Sequence, residues 1–71
     1  MKKLKLDGRE TYEIQYVENE CNPNYTRVVI HLTDGNWVEI SKHNYKNREV
    51  LDLHSLQVIN STIKLNRYWH S

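Results

Sequence analysis

Apolar and polar residues alternate most clearly on either side of the Asp34-Gly35 pair. Valine, isoleucine and leucine recur at every second position over residues 28–32, and apolar residues follow again at positions 38 and 40. A period of two residues indicates half-buried β-strands, and Asp-Gly is a strong turn signal between two such strands. Residues 25–43 therefore predict a β-hairpin.

The length of the turn decides which side chains share a face of this hairpin. A two-residue turn would place Ile30 opposite Glu39 and mix apolar with polar side chains. A three-residue loop at residues 33–35, with Gly35 in the left-handed conformation of a G1 bulge, places Ile30 opposite Val38. Because burial of an unpaired carboxylate costs on the order of several kcal/mol, we predict the second register. The resulting apolar face consists of Val28, Ile30, Leu32, Val38 and Ile40.

The opposite face of the predicted hairpin carries aromatic, basic and acidic side chains. In the same register His31 lies opposite Trp37, and Tyr25 lies opposite His43. Tyrosine, tryptophan and arginine are enriched at binding hot spots. We therefore predict a binding face formed by Tyr25, Arg27, His31, Trp37, Glu39 and His43. The alternative is that the N-terminal hairpin or residues 67–70 cover this face, with Trp37 closing one end of a barrel.

The first part of the chain predicts a second hairpin. Asp7-Gly8 is its turn signal, and Tyr12, Ile14 and Tyr16 alternate with polar residues after it. Residues 19–24 are rich in asparagine and contain the proline, so they predict a loop.

The part of the chain after the central hairpin gives weaker signals. Residues 44–48 are polar and predict a loop, and residues 50–53 predict a short strand. The alternative is a helix over residues 44–57 with Asn44 as its N-cap, although its apolar spacing fits a helix poorly. The parity of the apolar positions changes at His54-Ser55, which predicts a bulge or a 3₁₀ turn.

A last hairpin is predicted around a turn at Asn60-Ser61, which pairs Val58 with Ile63 and Leu56 with Leu65. Residues 1–71 then form one small all-β domain. Five to six short strands joined by hairpins predict a small barrel or a strongly curled antiparallel sheet of SH3-like or OB-like size. One short helical turn is compatible with this architecture.

Composition narrows the classes of function. The chain has 71 residues, so little apolar surface is left over for a deep pocket. The net charge of +1 provides no general attraction to nucleic acid or to an anionic membrane. Cys21 is the single cysteine, which excludes an internal disulfide, and no apolar run approaches a signal peptide or a membrane span. We therefore expect a cytoplasmic protein that does not bind membranes.

No motif predicts catalysis, a metal or another cofactor. The four histidines lie at positions 31, 43, 54 and 70, without the short paired spacing that zinc ligands show. Cys21 has no sequence neighbour that would activate a thiol. Both glycines belong to Asp-Gly pairs, so a glycine-rich phosphate loop is absent from the sequence. We expect that the protein is not an enzyme.

The predicted function is binding. We expect a small inhibitor or regulator that contacts a host or cognate protein through the aromatic face, as a monomer or a homodimer. Its size and composition are typical of phage and mobile-element proteins that redirect a host factor. The alternative is a β-barrel that binds single-stranded nucleic acid, with Trp37 and Tyr25 stacking on bases and Arg27 contacting phosphates.

Overall fold

The computed structural model describes residues 3–6, 10–52 and 58–63. Within these ranges seven strands and one helix follow in chain order: β1 Lys3–Leu6, β2 Glu10–Tyr12, β3 Ile14–Glu18, β4 Arg27–Leu32, β5 Trp37–Ser41, α1 Lys42–Lys46, β6 Val50–Asp52 and β7 Asn60–Ser61. The predictions made for Asp7-Gly8, His54-Ser55, the pair Leu56 and Leu65, and residues 67–70 lie outside the described residues.

The strands form two sheets and no closed barrel within the described ranges. One sheet has the order β2-β1-β6 and the other has the order β3-β4-β5-β7. All pairs are antiparallel except β1 and β6, which run parallel. The prediction of a small, mostly β protein is therefore confirmed, whereas the barrel is not. Alternation of apolar residues shows that strands exist, but it does not show which strands pair.

The central hairpin has the predicted register. Val28 pairs with Ile40 and Ile30 pairs with Val38 across β4 and β5. Gly35 has φ +93, and its amide donates to the Leu32 carbonyl oxygen over 3.2 Å, as a three-residue loop requires. A Cβ atom added at Gly35 would meet nothing within 4 Å. The glycine is therefore required by its backbone conformation and not by close packing.

One hydrophobic core joins the two sheets. Leu4 of β1 and Leu51 of β6 are fully buried in the same cluster as the apolar face of the central hairpin. The buried core residues are Leu4, Val28, Ile30, Leu32, Val38, Ile40, Tyr45 and Leu51. All five hairpin residues that the sequence assigned to the core are among them.

The predicted strand that contains Tyr12, Ile14 and Tyr16 is divided between the two sheets. The chain leaves the three-stranded sheet after β2, passes Glu13, and enters the four-stranded sheet as β3. The pairing of β3 with β4 then shifts between Ile14 and Tyr16, so that Gln15 is an extra residue. Ile14 consequently packs against the core, whereas Tyr16 is 53% exposed. The prediction that these two residues share a face was wrong because a bulge reverses the parity.

Residues 44–48 do not form the predicted loop, because α1 begins at Lys42 and extends to Lys46. The side chain of Ser41 is the N-cap and accepts a hydrogen bond from the Asn44 amide over 3.1 Å. The helix ends before Asn47, well short of the alternative helix over residues 44–57, and Asn44 lies inside it. Among the described residues there is no helix with the length and apolarity needed to cross a membrane.

Asn60-Ser61 is a strand and not the predicted turn. These two residues pair with Glu39 and Val38 of β5 as the edge strand β7. Thr62 extends the connection, since its amide donates to the Trp37 carbonyl oxygen over 3.0 Å. The sequence pattern was misleading here because a hairpin partner and a distant strand can satisfy the same alternation.

Tyr45 anchors α1 to the core and to the loop that precedes β4. Its side chain is only 6% exposed, and its hydroxyl donates to a carboxylate oxygen of Glu20 over 2.9 Å. Burial, followed by the hydrogen bond to Glu20 and the charge of Glu20, raises the pKa of Tyr45 from 10.0 to about 12. The neutral phenol is therefore the form that the folded protein stabilises.

The folded protein is expected to lose stability as the pH rises from about 10 through 12. The folded-state pKa of Tyr45 is the raised one, so its contribution is complete below the unfolded pKa and disappears above the folded pKa. A shift of this size corresponds to on the order of 2 kcal/mol. Denaturant unfolding at increasing pH should show this loss for the wild type and a smaller loss for Tyr45→Phe. Equal pH dependence of the two proteins would contradict the assignment.

Candidate functional site

The four-stranded sheet has one face packed on the core and one face turned away from it, which we call the outer face. Strand register assigns to the outer face Tyr16 and Glu18 of β3, Arg27, Val29 and His31 of β4, Trp37, Glu39 and Ser41 of β5, and Asn60 of β7. Each of these residues is half-buried or exposed. The outer face is therefore a mixed surface of aromatic, charged and polar side chains.

Three ring-bearing residues lie side by side across the outer face. Tyr16 pairs with His31, and His31 pairs with Trp37 on the next strand. The rings of Tyr16 and His31 stack with centroids 4.3 Å apart and an interplanar angle of 10°. We call these three residues the aromatic row. Because three adjacent strands hold them, their relative positions are set by the sheet and not by a loop.

Glu18 fixes the orientation of the central ring of this row. Its carboxylate lies 2.9 Å from Nε2 of His31, and a carboxylate can only accept, so Nε2 donates the hydrogen. The side chain of His31 is 24% exposed and that of Glu18 is 53% exposed. This hydrogen bond is thus open to solvent, and its main effect is to orient the imidazole for its stack with Tyr16.

The structure separates the six predicted binding residues into two groups. Four of them, Arg27, His31, Trp37 and Glu39, share the outer face as predicted. Tyr25 precedes β4, and His43 lies on α1, so the predicted strand pairing of Tyr25 with His43 was wrong. The pairing fails because β5 ends at Ser41, where the serine caps the helix.

Tyr25 and His43 instead both line an open depression beside α1, which we call the basic groove. It has a volume of about 380 Å³ and is lined by Tyr25, Thr26, Lys42, His43, Lys46 and Asn47. The ammonium group of Lys42 donates to the Asn22 carbonyl oxygen, and Asn47 contacts the His43 ring over 3.0 Å. No aspartate or glutamate is among the described residues that line the groove.

Tyr16 and Glu18 of the outer face, and Lys42 and Lys46 of the basic groove, are among the residues that were not predicted as site residues from the sequence. Tyr16 and Glu18 were assigned to a separate hairpin. They lie on the outer face because the bulge at Gln15 changes the parity of β3. Lys42 and Lys46 were read as part of a strand end and a polar loop. The serine at position 41 was the available signal, since serine is a preferred N-cap and would have placed both lysines on one helix.

Two further features of the described residues concern metal-ligating side chains and the thiol. The part of the chain that the structure describes contains no group of three or more histidine, cysteine, aspartate or glutamate side chains arranged to hold a metal ion. Cys21 is exposed in the loop before β4.

Fold and surfaces together define a small, mostly β protein with a mixed aromatic sheet face and a basic groove next to its one described helix. No protein-family model matches the chain, and comparisons with curated proteins and with solved structures likewise find no significant similarity.

Proposed function

We propose that this protein acts by binding another protein through the outer face of its four-stranded sheet. The observation that carries the proposal is the aromatic row, in which a stacked tyrosine and histidine lie next to a tryptophan on adjacent strands. Aromatic residues contribute most to binding at protein interfaces because they bury much surface at a low cost in conformational entropy. Since the sheet holds the row, little further ordering is required on binding.

The charges around the aromatic row favour a protein partner over a nucleic acid on this face. Glu18 and Glu39 both flank Val29, so two carboxylates lie on the outer face with Arg27. Carboxylates repel phosphate groups, whereas a mixture of both signs gives a protein interface its specificity.

The alternative prediction, in which Trp37 and Tyr25 both stack on bases of one nucleic acid strand, requires the two side chains to share one surface. Arg27, the first residue of β4, and His31, the partner of Trp37, are four residues apart in the strand, which is about 13 Å. Tyr25 lies beyond Arg27, next to α1. The two aromatic side chains therefore belong to different surfaces.

The partner class that we propose is a host or cognate protein that this chain inhibits or redirects. A small protein with a rigid sheet face can act by occupying a surface that the partner needs for another contact. The size and composition of the chain are typical of phage and mobile-element proteins that act in this way. Catalysis by this chain is not required.

The experiment that tests the proposal is capture of partners from a nuclease-treated bacterial lysate with the tagged protein. We expect a defined protein to be retained by the wild type and lost with Trp37→Ala and with Tyr16→Ala. Loss of a hot-spot side chain costs about 2 kcal/mol or more, which is roughly a 30-fold weaker affinity. The affinity for the captured protein, once purified, should show this decrease.

Tyr25→Ala is the matched control, because Tyr25 and Tyr16 are equally exposed, at 51% and 53%, on different surfaces. Circular dichroism establishes that each variant is folded, and Tyr16→Ala keeps the test valid if Trp37→Ala is unstable. Retention of the partner by both outer-face variants, or its loss with Tyr25→Ala alone, would contradict binding through the outer face.

A further inference from the structure

We propose that the basic groove binds single-stranded nucleic acid, with a phosphate between Lys42 and Lys46 and a base stacked on Tyr25. This site is separate from the outer face and goes beyond the protein-binding function proposed above. Its residues come from the loop before β4 and from α1, which hydrogen bonds hold together.

The two lysines provide a local positive charge in a chain that is nearly neutral. Lys42 and Lys46 are four residues apart in α1, so they occupy the same side of the helix one turn apart. Like charges at this spacing repel each other, and an anion placed between them relieves the repulsion. Lys42 is held by the Asn22 carbonyl oxygen, which uses one of the three hydrogens of the ammonium group.

Tyr25 provides an aromatic surface at the same groove. Its side chain is 51% exposed although it is large and partly apolar. Its backbone is fixed, since the Tyr25 amide donates to the Asn22 carbonyl oxygen over 3.2 Å. The Asn24 amide donates to the Asn22 side chain over 3.0 Å, which closes the turn. The same carbonyl oxygen therefore positions both Lys42 and Tyr25.

An aromatic ring next to paired lysines matches the alternation of base and phosphate along a single strand. The groove is open and has a volume of about 380 Å³. It also lacks the carboxylates that the outer face carries, so nothing among its described lining residues opposes a phosphate. Because the chain as a whole has a charge of only +1, binding depends on this local arrangement.

The test is fluorescence anisotropy with a labelled short oligothymidylate at low and moderate salt. We expect binding that weakens with salt, with a slope of log K against log salt of about −0.7 for the one phosphate held between the two lysines. Lys46→Gln and Tyr25→Ala should each weaken binding at least about fivefold, the lower end of what loss of one base stack produces. Lys42 is left unchanged in this test because it also holds the loop.

Two matched variants serve as controls. Lys5→Gln removes the same charge from β1, outside the groove, and Tyr16→Ala removes an equally exposed tyrosine from the outer face. Both should retain wild-type affinity within about twofold. That pattern would support the groove whether or not a protein partner is captured by the outer face.

Four outcomes would overturn the proposal. The first is an absence of binding at low salt. The second is a loss of binding in Lys5→Gln equal to that in Lys46→Gln, and the third is a loss in Tyr16→Ala that exceeds the loss in Tyr25→Ala. The fourth is an affinity for free thymidine monophosphate equal to that for the oligonucleotide. The last outcome would identify a free nucleotide as the ligand.

Discussion

Replacement of Ile30 by lysine is expected to abolish the folded state, whereas the same replacement at the adjacent Val29 is expected to be tolerated. Ile30 is fully buried in β4 and lies between Val17 and Val38 on the neighbouring strands. A lysine there would lose about 1.5–3 kcal/mol of apolar burial. It would also place an unpaired charge in the core, which costs several kcal/mol more. These losses together are comparable with the whole stability of a small domain, about 5–15 kcal/mol.

Val29 provides the matched control because it lies one residue away on the outer face. Its partners on the adjacent strands are Glu18 and Glu39, so a lysine at this position would lie between two carboxylates. We expect its effect on the free energy of unfolding to stay within about 1 kcal/mol.

Circular dichroism and urea unfolding followed by tryptophan fluorescence compare the two variants directly. Cooperative unfolding of Ile30→Lys near the wild-type midpoint would show that the register of the hairpin is wrong. An equal loss of stability in Val29→Lys would show that the outer face is part of the core.

The second large effect is expected at the junction of the two sheets, where Leu51→Ala should destabilise the protein by about 2–5 kcal/mol. Leu51 of β6 pairs with Leu4 of β1, and both side chains are fully buried in the common core. Truncation leaves a cavity at the point where the three-stranded sheet contacts the hairpin residues. The loss should therefore affect the whole protein.

Val50→Ala is the control for this prediction, because Val50 precedes Leu51 in β6 and is 42% exposed. Its expected effect is below about 1 kcal/mol. Hydrogen exchange gives the decisive measurement: amides in β4 and β5 should lose protection in Leu51→Ala together with those in β1. Loss of protection that is confined to β1 and β6 would mean that the two sheets do not share one cooperative core.

Part of the candidate site was predictable from the sequence, and the reason lies in the hairpin. The turn length and the cost of burying Glu39 were enough to place His31 opposite Trp37 on the face away from the core. Tyr16 could not be placed in the same way, because one extra residue at position 15 moves it to the other face. The bulge could not be predicted, because the alternation of apolar and polar residues in β3 continues through it.

The basic groove could not be predicted from the sequence for a related reason. Tyr25 and His43 were expected to lie opposite each other as strand partners, but they line the same groove because a helix begins at Lys42. This helix has only five residues, and its interior holds one buried side chain, Tyr45. So short an element has too few apolar positions to produce a helical period.

The local features follow from the amino-acid pattern alone: a mostly β chain, the central hairpin with its three-residue loop, and the five hairpin residues of the core. These depend on near neighbours, since the turn length and the parity of the apolar residues decide them together. Three features emerge only from the folded chain: the division into two sheets, the parallel pairing of β1 with β6, and the separation of the outer face from the basic groove. These features depend on which distant strands pair, and many pairings bury the same apolar residues equally well. The selection among them is made by the packing of the whole core, in which Leu4, Tyr45 and Leu51 meet the hairpin.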